Sequence, residues 1–358
     1  MALYTNIADF KAHVGGAANV SLELDSIVPT IRDTGNLHII PWLGQALWDR
    51  LYAGTGLTPA ETALLPYVKA ATAKLTMYEY AFIGGIQFSE SGIHRAVSEN
   101  MTSAYKYQEN DYRRKMLEFG YEAVESMLKH LQANRADLAS WVSDPASDRH
   151  NAYFVRYAAE MRMHYSKYVG RYTYEILRGM VEDVEFTAIE SSLPAQLYAD
   201  LKTKYVAGSG SSFEKKAIFF IQRAIVHFAI EEAVQRQWCA IEGNAVVQFE
   251  QGDSQSSTYR RVPEGGKPLE LKMRFHDLWA NRHLSRLKDY IYANKAEFPL
   301  AFCPDDGGSN TDSDAWCPTA EAAAETAALD EDCGCDRPRP YADLDCGCRP
   351  SGPKVVSF

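Results

Sequence analysis

Four cysteines near the end of the chain have the residue type and the pairing that metal binding uses. Cys333 and Cys335 flank one glycine, and Cys346 and Cys348 flank another, in two identical Asp-Cys-Gly-Cys stretches. Four thiolates can bind zinc tetrahedrally, although structural zinc sites usually place two or more residues between paired cysteines. Zinc binding is therefore the weaker alternative, beside a disulfide or inter-subunit link, and a solvated tail is favoured.

Three further cysteines are single. Cys303 and Cys317 could join either the zinc site or the disulfide alternative. Cys239 falls on an expected core helix, where a cysteine behaves as a small hydrophobic residue. Beside the zinc alternative in the tail, we assign no metal ligand and expect no metal in the body of the chain.

Carboxylates and histidines on expected helices are the other candidates for chemistry. Glu79 and Glu232 occupy matching positions in two expected helices, and we interpret them as interhelical pairs or surface residues. Glu160 and His164 are four residues apart on one helix face, where a surface pair is favoured over a ligand pair. The chain lacks the Glu-x-x-His motif, two copies of which a di-iron bundle requires.

One glycine-rich stretch precedes an expected helix. The stretch Gly208-Ser-Gly-Ser-Ser212 could hold an anion through backbone N–H groups. No lysine follows at phosphate-binding spacing, so a loop that ends in a helix cap is favoured. The chain also lacks Gly-x-x-x-x-Gly-Lys-Ser/Thr, His-Glu-x-x-His and Gly-x-Ser-x-Gly. We expect no enzyme, no catalytic residue and no cofactor.

Tyrosines alternate with basic residues along 153–183, which we expect to be one long helix. They are Tyr157, Tyr165, Tyr168, Tyr172 and Tyr174, with Arg156, Arg162, Lys167, Arg171 and Arg178. Such a pattern can bind nucleic acid, but four acidic residues in the same stretch weaken that interpretation. Tyr and Arg are also frequent at the centres of protein interfaces. A protein interface is favoured, with an ordinary half-buried helix and nucleic-acid binding as alternatives.

The elements that carry these residues occur twice in the same order. Residues 27–51 match residues 177–201 at an offset of 150, and residues 131–138 match residues 291–298 at an offset of 160. A fixed order of matching segments indicates a duplicated unit, and loops absorb small length changes at little cost. We predict helical repeats at 1–142 and 152–302, joined by turn-forming residues 143–148, and an irregular acidic tail at 303–358.

The predicted fold class is mainly α, with a small β-hairpin in each repeat. Two capping boxes, Thr58 to Glu61 and Ser211 to Glu214, mark helix starts. Apolar spacing predicts long helices at 60–82, 101–134, 153–183, 213–240 and 269–294. Alternating residues predict hairpin strands at 245–250 and 257–262, with a shorter version at 86–88 and 92–96.

Charge is unevenly distributed along the chain. The formal net charge of the 358 residues is -10, and residues 303–358 alone carry 12 acidic and 4 basic residues. The remaining body is close to neutral, which argues against a dedicated nucleic-acid binder. No apolar run approaches the roughly 18 to 20 residues of a membrane helix, and no signal peptide is evident. We expect a cytoplasmic origin.

Part of the repeat unit resembles a known family. The segment Ala8-Asp-Phe-Lys-Ala-His-Val14, the helix start within Leu22 to Asp33, and Ile39-Ile-Pro-Trp-Leu-Gly44 leading to Leu51 carry the resemblance. They resemble the start of head-to-tail connector (adaptor) proteins of tailed bacteriophages. The double-length form resembles an uncharacterised family encoded in phages and prophages of Bacteroidetes. The resemblance covers about residues 5–300 and not the cysteine-containing tail.

The resemblance implies a structural virion protein. It implies a helical bundle that forms a ring with itself, of about twelve copies, beneath the portal protein. Such a ring extends the DNA channel, lets genomic DNA pass without sequence-specific binding, and offers a platform to tail or neck proteins. The implied location is the neck of the virion, after assembly in the host cytoplasm, with no membrane contact. The alternative function is a helical-repeat interaction scaffold outside any virion.

Overall fold

The chain is mainly α-helical, as the sequence predicts. The computed structural model describes residues 3–15, 22–83, 86–89, 92–95, 106–165, 169–235, 240–242, 245–247 and 267–302. The α-helices are α1 (Ile7–Val14), α2 (Leu24–Thr34), α3 (Ile40–Leu43), α4 (Gln45–Ala53), α5 (Pro59–Ile83), α6 (Lys106–Ala133), α7 (Ala139–Val142), α8 (Pro145–Asn151), α9 (Ala158–His164), α10 (Arg171–Val184), α11 (Ala195–Ala207), α12 (Ser212–Gln235) and α13 (Lys267–Ala293).

Two pairs of long helices form the main packing units. Helix α5 packs along α6, and α12 packs along α13. Three of these four helices begin within two residues of their predicted starts, because a capping box or a continuous apolar face marks them. Residues 101–105 and 236–239, at the ends of two predicted helices, lie outside the described residues.

The predicted long helix at 153–183 is wrong, because the chain forms two helices there. Tyr157 has extended backbone dihedrals and is the N-cap of α9, with Glu160 bonding back to its N–H group. Helix α9 ends at His164, its C-cap Tyr165 is extended with a φ of -122° and a ψ of 129°, and Gly170 is the N-cap of α10. The apolar spacing continues across this break, which hides it in the sequence.

The predicted turn at residues 143–148 is also wrong, since α8 begins inside it. The Asp144 side chain accepts the N–H of Ala146 at 2.9 Å, which caps the helix start. Pro145 is the first helical residue, where its missing N–H costs no hydrogen bond. The Asp-Pro pair therefore starts a helix instead of forming a turn. The domain boundaries 1–142, 152–302 and 303–358 stay predictions.

The described strands are short. Strand β1 (Ile86–Ser89) pairs antiparallel with β2 (Gly92–Arg95), and β3 (Ala240–Glu242) pairs antiparallel with β4 (Ala245–Val247). The first pair lies where strands were predicted, at 86–88 and 92–96, whereas a small β-hairpin as a shared feature of both repeats stays a prediction. In the second half, residues 245–250 were predicted to pair with residues 257–262. Residues 245–247 pair instead with residues 240–242, which precede them. Residues 248–266 lie outside the described part. Isolated two-stranded pairs add little stability.

The order of described elements is the same in two halves of the chain. A π-helical turn follows α2 at Gly35–Ile39 and follows α10 at Glu185–Ile189, at an offset of 150 residues. A 3-10 turn follows α6 at Arg135–Asp137 and follows α13 at Lys295–Glu297, at an offset of 160. We use "first half" for residues 3–142 and "second half" for residues 152–302.

Each half has its own hydrophobic core. The first core includes Phe10, Ile27 and Trp141, all fully buried. The second core is built in the same way around α10, α12 and α13. Tyr157 of the second half belongs to the first core, where it joins residues of α6. The two halves are therefore packed against each other and not merely tethered.

Candidate functional site

The surface where the halves meet has the densest set of specific polar contacts between them. We define the inter-half interface as the contact of α6 with α9 and α10. The Glu125 carboxylate accepts the backbone N–H groups of Ala158 and Ala159 at 3.0 and 3.2 Å. Glu125 is 1% exposed. A buried carboxylate at a helix N-terminus satisfies unpaired N–H groups and interacts favourably with the helix dipole.

A second carboxylate of α6 acts in the same way on α10. Glu122 accepts the backbone N–H of Arg171, the first residue of α10, at 3.0 Å. The guanidinium of Arg162 lies 3.7 Å from Glu122 and 3.7 Å from Glu125. Two acidic residues of the first half thus fix the starts of two helices of the second half. Their positions determine how the halves are oriented.

Three guanidinium groups lie over one indole ring of the first half. Two of them belong to the second half, and the third belongs to α8, which connects the halves. The guanidinium groups of Arg149, Arg171 and Arg178 lie 5.0, 5.0 and 4.7 Å from the centre of the Trp42 ring. Cation–π attraction strengthens when the groups are shielded from water, and Trp42 is 4% exposed. The Trp42 carbonyl also accepts the Trp141 indole N–H at 3.0 Å.

The described tyrosines and arginines that were singled out in the sequence are buried or half-buried within the chain. Arg156, Tyr157, Arg171 and Tyr174 are all buried, and the Tyr174 hydroxyl donates to the Val155 carbonyl at 2.6 Å. Burial raises the pKa of the Tyr157 phenol to about 12. Lys167 and Tyr168 lie outside the described residues. Tyrosine and arginine, the residue types expected at an interface with another protein, are used here for the contact between the halves and for the core of the second half.

The interpretation of Glu160 and His164 as a surface pair is wrong. Glu160 accepts the N–H groups of Arg156 and Tyr157 at 2.6 and 3.1 Å and the Tyr205 hydroxyl at 2.5 Å. Burial raises the pKa of its carboxyl, although these donors oppose the shift. His164 is buried and hydrogen-bonds to Gln222 at 3.3 Å. Both side chains position α9 against the rest of the second half.

Several other candidates predicted from the sequence take part in helix pairing and helix capping. Glu79 forms an interhelical pair with His38, Nε2 to Oε1 3.1 Å, and Glu232 is half-buried on α12. Gly208 ends α11 in a left-handed conformation, and Ser211 caps α12.

In the described ranges, no group of three or more His, Cys, Asp or Glu residues could hold a metal. All seven cysteines lie outside those ranges: Cys239, Cys303, Cys317, Cys333, Cys335, Cys346 and Cys348.

A histidine cluster between α12 and α13 was not predicted from the sequence. His227 Nδ1 lies 3.1 Å from His276 Nδ1, and the His227 ring stacks on His283 with 5.8 Å between centroids. The two stacked rings are inclined by only 16°, so their nitrogens do not converge on one point. Within the described residues, neither ring nitrogen of His283 has a hydrogen-bond partner. The seven-residue spacing of His276 and His283 was the available sequence signal.

Two histidines of this cluster, His227 and His283, have lowered pKa values. Burial lowers the pKa of His283 to about 4, and the positive charges of Arg223 and Arg286 add to the shift. Burial, followed by the neighbouring His276 and His283, lowers the pKa of His227 to about 4. The corresponding places in the first half, at offsets of 153 and 160, are Lys74, Met116 and Ala123. The cluster is therefore a property of the second half alone.

Comparisons with known proteins give a family without an assigned function. No helix in the described part of the chain has the length and the apolar character to cross a membrane. No curated protein and no solved structure matches the chain. The model of a family of unknown function, DUF6712, matches residues 39–151 and, a second time, residues 189–311. Because these two matches together span more than half of its length, the chain belongs to the DUF6712 family.

Proposed function

We propose that this chain is a tandemly duplicated structural virion protein of a tailed bacteriophage, a ring-forming head-to-tail connector. The ring binds below the portal protein, extends the DNA channel and links the capsid to the neck or tail. Two copies of one helical unit make up each chain. The role is structural and not enzymatic, with about twelve copies in the ring.

The double family match supports the duplication. The starts of the two matched ranges, 39 and 189, are 150 residues apart, and their ends, 151 and 311, are 160 apart. These are the offsets that relate the π turns and the 3-10 turns of the two halves. The offset is 153 at the starts of α5 and α12, so three of the ten additional residues precede α12 and seven lie between the start of α12 and the 3-10 turn that follows α13.

The head-to-tail contact between the halves is the observation that carries the ring. Helix α6 of the first half contacts α9 and α10 of the second, whereas α9 corresponds to α1 and α10 to α2. The two partners thus use different surfaces, which is a heterologous contact. Heterologous contacts that continue from unit to unit generate a ring when the rotation closes and an open filament when it does not. A closed ring is the form that the proposed connector function requires.

The charge of the body suits a channel for DNA. Residues 1–302 carry 35 acidic and 33 basic residues. Each phosphate contact made by a basic residue would hold the DNA in place, so a strongly basic lumen would slow its passage. A near-neutral wall permits sliding without sequence-specific binding.

Binding to the portal protein encoded by the same phage tests the proposal. The purified full chain is mixed with that portal protein and imaged by negative-stain electron microscopy. We expect an added ring on one face of the portal. A chain that leaves the portal bare, and that stays outside purified virions, would support the scaffold function instead. The order of genes gives a second check, since a connector gene is expected between the portal or capsid genes and the tail genes.

A further inference from the structure

Helix α13 exposes an apolar face. Leu271, Phe275 and Leu278 are 67%, 51% and 66% exposed, and their spacing of four and three residues places them on one side of the helix. Arg282 and Ser285 continue this side toward the C-terminus and are also exposed. Three large apolar side chains in one row on a monomer surface mark a contact site. We call these five residues the α13 face.

The C-terminal part of the corresponding row in the first half contacts the second half. At an offset of 160 residues, Phe275 and Leu278 correspond to Lys115 and Glu118, and Arg282 and Ser285 correspond to Glu122 and Glu125. The last two residues of that row are the ones that contact α9 and α10 of the second half. Glu125 is buried by this contact, whereas Ser285 is exposed. At these two positions the second half has the same docking surface without its occupant, while Lys115, the counterpart of Phe275, is exposed in the first half as well.

The complementary face is uncovered in the first half. Ala158 on α9 and Thr173 on α10 are 0% and 2% exposed beneath α6. At an offset of 150 residues their counterparts are Ala8 on α1 and Glu23 at the start of α2, and both are exposed. Each chain thus presents one free α13 face and one free N-terminal face. The two are the partners that already meet inside the chain.

The charges of the two free faces are opposite, and they are reversed relative to the inter-half interface. There, acidic Glu122 on α6 faces basic Arg162 on α9. On the free faces, Arg282 replaces Glu122, and exposed Glu23 and Asp25 lie at the start of α2. The counterpart of Arg162 is Ala12, so no arginine opposes Arg282. Complementary charges of this kind favour one partner over others.

We propose that the α13 face binds α1 and the start of α2 in a second copy of this chain, by the contact that α6 makes with α9 and α10. This assignment rests on the proposed ring and names its chain-to-chain surface. The contact between chains repeats the contact between halves. A ring of chains therefore contains twice as many helical repeats as chains. The apolar row is needed here because, unlike the halves, separate chains are not held together by a covalent connection.

Charged residues on the α13 face test the proposal. The variant Phe275→Asp/Leu278→Asp puts two carboxylates into the contact, and Phe186→Asp is the matched control, since Phe186 is 67% exposed but lies on the π turn of the second half. Sedimentation velocity of the full chain over a concentration series measures self-association. We expect the double variant to lose at least roughly tenfold in affinity and the control to behave as the wild type. Circular dichroism verifies that both remain helical.

A mixing experiment tests the identity of the two surfaces. Ala8→Arg blocks the N-terminal face and leaves the α13 face intact. Each variant alone should be monomeric, and an equal mixture of Ala8→Arg with Phe275→Asp/Leu278→Asp should form only dimers, because one intact face remains on each. Unchanged assembly of the double variant, no dimer in the mixture, or a wild type that is monomeric at every concentration would each overturn the assignment.

The outcome is separable from that of the proposed function. If wild-type rings bind the portal and the double variant still forms them, only the assigned surface is wrong. If assembly depends on the α13 face but the assemblies ignore the portal, the surface is right and the connector function is wrong.

Discussion

The Glu125 carboxylate accepts the backbone N–H of Ala158 at 3.0 Å, so a side chain of the first half caps a helix of the second. This contact adds to that of Tyr157, a residue of the second half that belongs to the first core. Because the carboxylate is buried and its acceptors are used, its loss leaves donors of α9 without a partner. The orientation of the halves depends on it.

Replacing Glu125 with alanine tests that dependence. We predict a loss of about 1–3 kcal/mol in the free energy of unfolding, because buried N–H groups lose their acceptor. Urea unfolding followed by circular dichroism measures the change. Ser285→Ala, at the corresponding exposed position of α13, is the control and should change stability by less than about 0.5 kcal/mol. Equal effects of the two substitutions would show that the inter-half contact contributes nothing.

Gly35 lies under the indole ring of Trp48. A Cβ atom at Gly35 would overlap that ring, whereas a Cβ at Gly179 on α10 would meet nothing within 4 Å. We predict that Gly35→Ala costs about 1–3 kcal/mol, because a packed core does not accept an added methyl group without strain. Gly179→Ala should stabilise the chain by up to about 1 kcal/mol, since alanine favours the helix. Thermal unfolding of both variants gives the comparison.

The pattern behind Gly35 also explains why the halves differ in detail. At an offset of 150, Gly35 and Trp48 correspond to Glu185 and Tyr198. In the second half, Glu185 accepts the Tyr198 hydroxyl at 2.8 Å and the N–H of Phe154 at 2.8 Å, and it pairs with Lys202. A ring over a glycine is thus exchanged for a hydrogen-bonded buried carboxylate. The same two positions thus contact each other in both halves, by ring packing in the first half and by hydrogen bonding in the second.

The histidine cluster predicts a loss of stability in acid. The pKa values of His227 and His283 are lowered to about 4 in the folded chain, from an ordinary value of 6.5. The unfolded chain therefore binds more protons in this window, so stability is complete above pH 6.5 and falls as the pH drops from 6.5 toward about 4. The titratable and charged groups that act most strongly on these two rings are histidines and arginines, including His164 and Arg223, and they oppose protonation.

A variant with residues of the first half tests the histidine prediction. His276→Met/His283→Ala introduces the residues found at Met116 and Ala123. Urea unfolding is compared with that of the wild type above pH 6.5 and near pH 4. We predict a smaller decrease for the variant, because fewer neutral histidines remain to be protonated. Parallel decreases in both proteins would assign the acid sensitivity to other groups.

Trp42 holds the guanidinium groups of Arg149, Arg171 and Arg178. We predict that Trp42→Ala destabilises the chain by about 3–5 kcal/mol, the range for removal of a buried large aromatic side chain. Trp42→Phe keeps a ring face for the cations and should lose less. Limited proteolysis of the α8 region should accelerate in the alanine variant, because Arg149 and Arg178 lose their common contact. Equal losses in both variants would show that the cations are not stabilised by the ring.

The sequence predicted the helical class and most long helices, because apolar spacing and capping boxes are local signals. It did not predict the break at Tyr165 or the helix start at Asp144, since a periodic apolar face continues across the first and Asp-Pro is as frequent in turns as at helix starts. The buried roles of Glu160 and Arg171 depend on residues 45 and 15 positions away, Tyr205 and Arg156. Pairing at such distances cannot be derived from spacing along one helix.

Native mass spectrometry of the purified full chain, alone and with its portal protein, tests the central claim most directly. The proposed connector, with two repeats docked head to tail and one free face at each end, should yield a closed assembly of about twelve copies on the portal. A mass of one chain under both conditions, at concentrations that saturate the portal, would contradict it.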